Sequence, residues 1–592
     1  MSTGAAKSQH VANVNGPRST SMTIREHEKL DPVTLTVIDN FLTSTCRDMG
    51  VTMMKTSYSP IFNESLDFSC VIFDPDGQML AQAEFCPSQI GTIKFTVTWT
   101  LDELGVDAFE PGDVILHNDP YRGSGHVPEH MMLKPVFHGG ELFGFVANVA
   151  HMSEPGAKTP GGLSGDATEI FQEGLLLPPV KIKSRGQDNE DIWKIILANH
   201  RTPKVTYGDF RAMMASLDLA EERLHELLDI HGSETIRAAC RELIEIAERR
   251  MRAEIQAIPN GVYEFEDVIE DDGITDRAYP MLLRLMVRDD DVIADFTGSA
   301  SQAVGPVNAI YAVTASAVYN AILHLTDPTI PRNEGCYRPI TVIAPPGTIV
   351  NCTFPAPVAG GNTETSPRIT DMVFGALQHA IPERVVAACG GTSSPFLFGG
   401  VDPRDGNLYA HFHFEGVGWG GREGLDGNDM VVTINGNCRN TPVEVFETRY
   451  PAFLIEEYRL LADSGGPGEF RGGLGGERLL TVMSEVTVSA LLNRMKADPW
   501  GILEGGNGAR GGIWVKRAGE NDWQTFVEAF GTMSPSKFSG IRLQTGDQVR
   551  LAMPGGGGYG DPRRRDRKSV ARDIAEGFIT TERARVDYGY AE

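Results

Sequence analysis

Histidine and carboxylate side chains are concentrated in one short stretch of this 592-residue chain. His126 is followed three residues later by Glu129, and His151 comes later, after sequence that favours strands. A carboxylate three residues from one histidine, with a second histidine on a neighbouring strand, can bind a divalent ion through nitrogen and oxygen. Hydrogen-bonded loop histidines are the alternative interpretation. Five of the chain's 14 histidines fall within the 35 residues 117–151: His117, His126, His130, His138 and His151.

Short strands are predicted to carry these histidines. Residues 67–83 alternate and turn at Asp74-Pro75-Asp76-Gly77, which predicts a hairpin. The β-rich runs that follow are separated by loops rich in Gly, Pro and His; they are Val114–His117, Leu133–Phe137 and Leu142–Ala150. The residues in question therefore lie at strand ends and in loops.

Helices are predicted on both sides of this stretch. Asp31-Pro32 is a cap and first-turn signal for a helix that extends to about Thr56. Amphipathic helices are predicted near 209–231 and 233–257, the second with Ser233 as its N-cap.

Strand-like and apolar segments fill the rest of the chain, and the whole predicts a mixed α/β (α+β) fold with a β-rich C-terminal part. The further predicted elements are strands at 262–270 and 281–296, buried helices at 309–325 and 369–380, and a short helix at 569–577. Four regions are expected: a flexible tail (1–29), a metal-site α/β region ending in two helices (30–258), a central α/β region (259–450) and a β-rich, Gly-rich region (451–592).

Charge and cysteine content exclude several classes of protein. A formal net charge of -26 argues against nucleic acid and against an anionic membrane surface as partners. Eight cysteines without a C-x-x-C pair indicate neither a disulfide framework nor a zinc finger. We find no apolar run of the ~18 residues that a membrane span needs and no signal peptide. We therefore expect a cytoplasmic protein.

Other familiar motifs carry little weight. The chain has no G-x-x-x-x-G-K-[ST] motif, and the G-x-G-x-x-G at 416–421 is not followed by a dinucleotide-type helix with a downstream acid. Ser464 stands in a loop that imitates a serine-protease nucleophile, but its distance from any suitable histidine favours a glycine turn. His411 and His413 would share one face of a strand, with no acid expected beside them.

The order of longer segments resembles the hydantoinase B/oxoprolinase family from Asp31 to the C-terminus. The segments that carry the resemblance are DPVTLTVIDN (31–40), SYSPIFNESLDFSCVIFD (57–74), HNDPYRGSGHVPEH (117–130), ATEIFQEGLLLPPVKI (167–182), DFTGSASQAVGPVN (295–308), IPRNEGCYRPI (330–340), GNTETSPRITD (361–371), TPVEVFETRYP (441–451), DSGGPGEFRGGLGG (463–476) and PGGGGYGDP (554–562). This agreement is far more specific than a single motif.

The resemblance implies a B subunit that acts with a larger, ATP-binding hydantoinase A-type subunit, in a heterotetramer, to open hydantoin, 5-oxoproline or another lactam. It implies a zinc or manganese site at four positions of this chain: Asp67, His126, Glu129 and His151. Glu129 and Glu154 stand where the family pattern has Asp. Relatives that carboxylate ketones such as acetone make a ketone carboxylase the alternative function, and a scaffold subunit without metal is a third.

Proton transfer in such a reaction needs a positioned acid or base. Our candidates, predicted as catalytic residues, are His117, Asp119 and Glu173. ATP can activate the amide carbonyl in the partner subunit, while a metal on this chain activates water.

Overall fold

The computed structural model describes residues 30–591, so the predicted tail at 1–29 lies outside the described residues. Within the described range, helices and four sheets alternate along the chain, which confirms the mixed α/β prediction. The helices are α1 (Pro32–Thr56), α2 (Pro60–Asn63), α3 (Pro87–Leu104), α4 (Glu190–Ala198), α5 (Pro203–His231), α6 (Ser233–Gln256), α7 (Tyr311–His324), α8 (Ser366–Leu377), α9 (Val443–Arg449), α10 (Phe526–Phe530), α11 (Arg567–Ala575) and α12 (Thr581–Tyr588).

A seven-stranded sheet positions the predicted site residues. Its strands are β1 (Phe68–Phe73), β2 (Met79–Gln82), β3 (Val114–His117), β4 (Glu129–His138), β5 (Glu141–His151), β6 (Val180–Ser184) and β7 (Gln187–Asp188). Their order across the sheet is β2-β1-β5-β4-β3-β6-β7, and neighbouring strands are antiparallel. Helix α1 packs against β1 and β2, and α5 packs against β4 and β5.

The β4–β5 hairpin sets the register of this sheet. Gly139 and Gly140 form its two-residue turn with φ of 61° and 86°, a left-handed backbone that glycine adopts without a steric penalty. This turn pairs His138 with Glu141, and the pairing continues to Glu129 opposite His151 at the far end. The two-residue loop and the β-bulge between Val136 and Phe137 together therefore fix which residues meet at the other end of the hairpin.

Three further sheets complete the fold. The second contains β8 (Gly261–Ile269), β9 (Tyr279–Arg288), β10 (Asp291–Asp295) and β11 (Ile340–Ile343), in the order β11-β10-β9-β8. The third contains β12 (Phe396–Val401), β13 (Leu408–His413), β16 (Val486–Leu491) and β19 (Lys537–Leu543), in the order β13-β12-β16-β19. The fourth contains β14 (Phe453–Leu460), β15 (Gly476–Val482), β17 (Gly512–Lys516), β18 (Gln524–Thr525) and β20 (Gln548–Ala552), in the order β14-β15-β20-β17-β18.

Local signals in the sequence explain where several elements begin. The Asp31 carboxylate accepts a hydrogen bond from Thr34 N (3.1 Å), so the predicted cap of α1 is confirmed. The predicted cap of α6 is wrong: Gly232 precedes the helix, and Ser233 is its first residue. The Ser233 hydroxyl instead lies 3.0 Å from His138 Nδ1, a contact from a distant strand that the sequence pattern does not reveal.

One hydrophobic core extends through the first and central parts of the chain. Its buried members run from Leu35 in α1 to Ile434, include the apolar faces of α7 and α8, and are joined by Leu491, Ile502 and Tyr559 from the C-terminal part. A smaller core joins the third and fourth sheets around Phe398 and Leu551. Among the described residues, no helix is both long and apolar enough to cross a membrane.

Candidate metal centre

The ends of three adjacent strands bring three predicted ligands together. Asp67 directly precedes β1, Glu129 is the first residue of β4, and His151 is the last residue of β5. Glu129 faces His151 across the β4–β5 ladder, and His151 N donates to the Asp67 carbonyl (3.0 Å). Directly opposed residues of antiparallel strands have β-carbons about 4.5–5.5 Å apart. Backbone pairing alone therefore clusters these three side chains.

His126 reaches the same place from the loop that precedes β4. Its Nδ1 donates to the Ala359 carbonyl (3.1 Å), so its Nε2 is the nitrogen free to bind a ligand. That Nε2 lies 3.9 Å from Glu129 Oε1, and the His126 and His151 ring centroids are 5.0 Å apart. Metal-binding histidines generally donate their other ring N–H to a carbonyl or carboxylate. His126 shows that arrangement.

Four buried atoms in this cluster lack hydrogen-bond partners among residues 30–591. They are His126 Nε2, Glu129 Oε2, and His151 Nδ1 and Nε2. Burying such atoms without partners costs about 1–3 kcal/mol each, so native proteins rarely do it without a purpose. The three residues that carry these atoms line a cavity of about 40 Å³, more than the ~10–15 Å³ that a water molecule needs. Their donor types and their lack of partners fit a divalent cation.

The electrostatics of the cavity also fit a divalent cation. Burial raises the pKa of Asp67 to about 7, and burial together with the Asp67 charge raises the pKa of Glu129 to about 8. Burial lowers the pKa of His126 to about 4 and that of His151 well below its usual value. The imidazoles are therefore neutral, as metal binding requires, and a cation would favour the ionised form of both carboxyl groups.

Side chains from other elements orient the two carboxyl groups. Gln89 in α3 donates to Asp67 Oδ1 (2.7 Å), and Asn362 donates to Glu129 Oε1 (2.8 Å). Asn362 lies in a π-helical turn, Gly361–Thr365, before α8, and such turns are frequent at functional sites. Gly125 leaves room for the glutamate, because a β-carbon there would collide with Glu129 Oε2.

A family model described as hydantoinase B/oxoprolinase matches residues 31–562. The chain belongs to the hydantoinase B/oxoprolinase family. The beta subunit of caprolactamase from Pseudomonas jessenii is 32% identical over 95% of this chain and 96% of its own. A 5-oxoprolinase from Dictyostelium discoideum is 29% identical over 92% of this chain, which spans 41% of that protein.

Two solved structures share the fold of this family member. The ATP-dependent caprolactamase from Pseudomonas jessenii superimposes with a TM-score of 0.87, at 30% identity, over 95% of this chain and 97% of its own. An acetone carboxylase chain superimposes with a TM-score of 0.86 over 95% of this chain and 80% of its own. At 21% identity, the second likeness shows the fold alone.

None of the three predicted catalytic residues lines the cavity of this hydantoinase B-type chain. His117 is buried at the end of β3, where its Nδ1 lies 3.2 Å from the Thr100 hydroxyl. Asp119 accepts from Tyr121 N (2.9 Å) and pairs with Arg122, as expected of a turn residue. Their catalytic roles stay predictions.

Glu173 acts on the site through one intermediate residue. Its buried carboxyl accepts from Val358 N (3.0 Å) and Ala359 N (2.9 Å), and burial raises its pKa to about 8. The carbonyl of Ala359 is the group that accepts from His126 Nδ1. Glu173 thus fixes the loop that orients a predicted ligand, which makes it a positioning residue in this structure.

Glu154, the other departure from the family pattern, lies outside the cavity. Its side chain accepts from Gly156 N (2.6 Å) and pairs with Arg201 (3.0 Å). This glutamate therefore stabilises the loop after β5.

The structure adds residues that the sequence pattern did not single out. Asp67, Cys86 and Cys438 form a group of three possible metal ligands. Their ligand atoms all lie within 4.8 Å of one another, and they are the group of this kind found among the described residues. Ligands of a tetrahedral zinc ion lie about 3.3 Å apart, and no three of the four predicted ligands have their ligand atoms within 4.8 Å of one another among the described residues, so these side chains must move to close on one ion. Cys86 follows Asp67 by 19 residues and Cys438 follows it by 371, so no local motif contains all three.

The histidine pair on β13 has an acidic partner, contrary to our expectation. His411 and His413 share a face with ring centroids 5.7 Å apart, and His413 Nε2 lies 2.8 Å from Glu415 Oε1. Glu415 also pairs with buried Arg478 (2.7 Å). This buried acid–base pair neutralises Glu415 and holds the third sheet to the fourth.

Ser464 makes structural hydrogen bonds in its glycine-rich loop. Its hydroxyl donates to the Leu461 carbonyl (2.6 Å) and accepts from Gly475 N (3.0 Å). We expect Ser464→Ala to retain activity within a few-fold and to lose about 1–2 kcal/mol of stability, because it removes two hydrogen bonds. Steady-state assays and thermal melting test this. An activity loss of about 10³-fold in a folded variant would instead support the hypothesis that Ser464 is a catalytic nucleophile.

Proposed function

We propose that this chain is the B subunit of an ATP-dependent cyclic-amide hydrolase and binds a divalent zinc or manganese ion. The ligands are Asp67, His126, Glu129 and His151. One observation carries the proposal: the four residues line one small cavity, and buried nitrogen and oxygen atoms of His126, Glu129 and His151 lack hydrogen-bond partners among the described residues. Membership of the hydantoinase B/oxoprolinase family supports the same chemistry.

The chain's own residues prepare this cavity for hydrolysis. When bound, the ion would polarise the amide carbonyl and lower the pKa of a water molecule towards ~7. Asn362 and Gln89 hold the two carboxyl groups by hydrogen bonds, which limits their rotation. The Phe412 ring packs on His151 with centroids 4.2 Å apart and makes that wall apolar. An apolar wall restricts bulk water and strengthens the electrostatic interactions inside.

ATP binding is assigned to a separate partner, a hydantoinase A/oxoprolinase-type subunit, in a heterotetramer. This chain has no G-x-x-x-x-G-K-[ST] motif. It corresponds to 41% of a 5-oxoprolinase, so more than half of that relative has no counterpart here. The caprolactamase relative is named as a beta subunit, and its structure is named as ATP-dependent. These facts support a reaction divided between two chains.

Product analysis of the complex tests the hydrolase against the ketone carboxylase. The full chain with its A-type partner, metal and ATP is incubated with hydantoin, 5-oxoproline or caprolactam, and separately with acetone and labelled bicarbonate. We expect ring-opened product and ADP from at least one cyclic amide, with no label fixed. Label incorporated into a ketone, without ring opening of any amide, would identify a carboxylase instead.

A further inference from the structure

Two cysteines flank Asp67 on the wall of the metal cavity. Cys86 directly precedes α3 and is 3% exposed, while Cys438 is half-buried in a loop of the central region. The Asp67 carboxylate and the two sulfur atoms all lie within 4.8 Å of one another. All eight cysteines, each within the described residues, are free thiols. The histidine site uses neither Cys86 nor Cys438.

The two thiols make weak sulfur hydrogen bonds with their surroundings, including the Asp67 carboxylate and each other. Cys86 Sγ lies 3.1 Å from the Ser88 hydroxyl and 3.7 Å from the Asn435 carbonyl, and Cys438 Sγ lies 3.2 Å from the Gly436 carbonyl. The side-chain oxygen of Asn435, which lines the same cavity, is buried without a hydrogen-bond partner in the described part of the chain. This unpartnered oxygen independently fits a bound donor or cation in the cavity that both cysteines line.

We propose that Asp67, Cys86 and Cys438 bind a thiophilic divalent cation such as Zn²⁺ or Co²⁺, with Asn435 Oδ1 available as a fourth ligand. Two sulfur ligands of a tetrahedral zinc ion, each about 2.3 Å from the metal, lie about 3.8 Å apart. The observed cluster is within small side-chain rotations of that spacing. The site shares Asp67 with the histidine site but does not depend on the proposed hydrolase function.

The two sets of ligands differ in the ions they select. Thiolates select zinc, cobalt and softer ions, whereas carboxylate and water ligands suit manganese. Manganese should therefore bind on the histidine side of the cavity and not on the thiol side. Zinc suits imidazole as well as thiolate, so manganese and not zinc distinguishes the two sets of ligands. Cys438 also lines a neighbouring cavity of about 540 Å³.

Cobalt spectroscopy of the full-length chain tests this assignment without an activity assay. Co²⁺ bound to thiolate produces a sulfur-to-metal charge-transfer band in the near ultraviolet, which oxygen and nitrogen ligands do not produce. The reduced chain is titrated with Co²⁺ alongside Cys86→Ser, Cys438→Ser and His126→Ala. Cys46→Ser is the matched control, because Cys46 is also buried but donates to the Ala81 carbonyl (3.6 Å) in the core.

We expect the band at full intensity in the parent, in Cys46→Ser and in His126→Ala, and at clearly reduced intensity in each single cysteine variant, which keeps one thiolate. A parent without the band, or a band unchanged in both Cys86→Ser and Cys438→Ser, overturns the proposal. Circular dichroism verifies folding, and Cys86→Ala and Cys438→Ala replace any serine variant that misfolds. A wrong assignment of the histidine site would give a different result. The cobalt band would persist in the parent, while His126→Ala would leave Mn²⁺ binding unchanged.

Discussion

Replacing His126 or His151 with alanine should reduce ATP-coupled amide hydrolysis by about 10³-fold or more, the scale seen when a group that acts in the transition state is removed. Each substitution deletes a neutral, buried imidazole whose free nitrogen faces the cavity. The remaining ligands cannot close the coordination shell, so the ion is lost together with its activation of water. Steady-state assays of the complex with saturating ATP measure the effect.

Stability should change in parallel, because a metal that binds only the folded chain stabilises it. At a free metal concentration 100 times the Kd, this contribution is about 2.7 kcal/mol. His126→Ala and His151→Ala should therefore have lower melting temperatures than the parent. A chelator should reduce this difference in melting temperature, because it removes the metal from the parent. His200→Ala is the control, since His200 is also buried with an unpartnered Nε2 but lies outside the cavity lining. Equal losses of activity in His200→Ala would show that the effect is structural.

The isolated chain should neither hydrolyse ATP nor open a cyclic amide, and both activities should appear when the A-type partner is added. The physical reason is that an unstrained amide is stabilised by resonance, so its carbonyl needs activation by phosphorylation. This chain has no phosphate-binding G-x-x-x-x-G-K-[ST] motif for that step. Coupled ADP release and product detection measure the two activities.

A titration of one chain with the other is the control for contaminating ATPases. Activity should saturate at a fixed ratio of the two chains. ATP-coupled hydrolysis by the isolated chain at the rate of the mixture would contradict the division of labour.

Local sequence signals predicted much of the fold because they depend on neighbouring residues. The Asp31-Pro32 cap starts α1, and the turn at 74–77 joins β1 and β2. The predicted strand at 281–296 is two strands, since Asp289 adopts φ 55° and turns the chain between them. The helix predicted at 569–577 appears as α11, but α12 follows it unpredicted. Its polar sequence has little apolar periodicity to detect.

The site was less predictable because its parts meet only in the folded chain. The order of the motifs and the family resemblance predicted Asp67, His126, Glu129 and His151 as metal ligands. These four residues line one cavity. The Asn362 contact with Glu129 joins residues 233 positions apart, which no spacing rule covers. Glu173 was predicted to transfer protons, and that role stays a prediction. The hydrogen bonds that its carboxyl accepts from two backbone amides give it a positioning role. Such a role depends on loop geometry that sequence alone does not show.

Binding of Mn²⁺ to the purified full-length chain tests the central claim most directly, since thiol ligands do not favour manganese. Equilibrium dialysis followed by elemental analysis compares the parent with His126→Ala, His151→Ala and Glu129→Asp. We expect about one Mn²⁺ per parent chain, retained in Glu129→Asp, which keeps a carboxylate ligand, and lost in both histidine variants. Undiminished Mn²⁺ in both His126→Ala and His151→Ala would place the ion elsewhere and contradict the assignment.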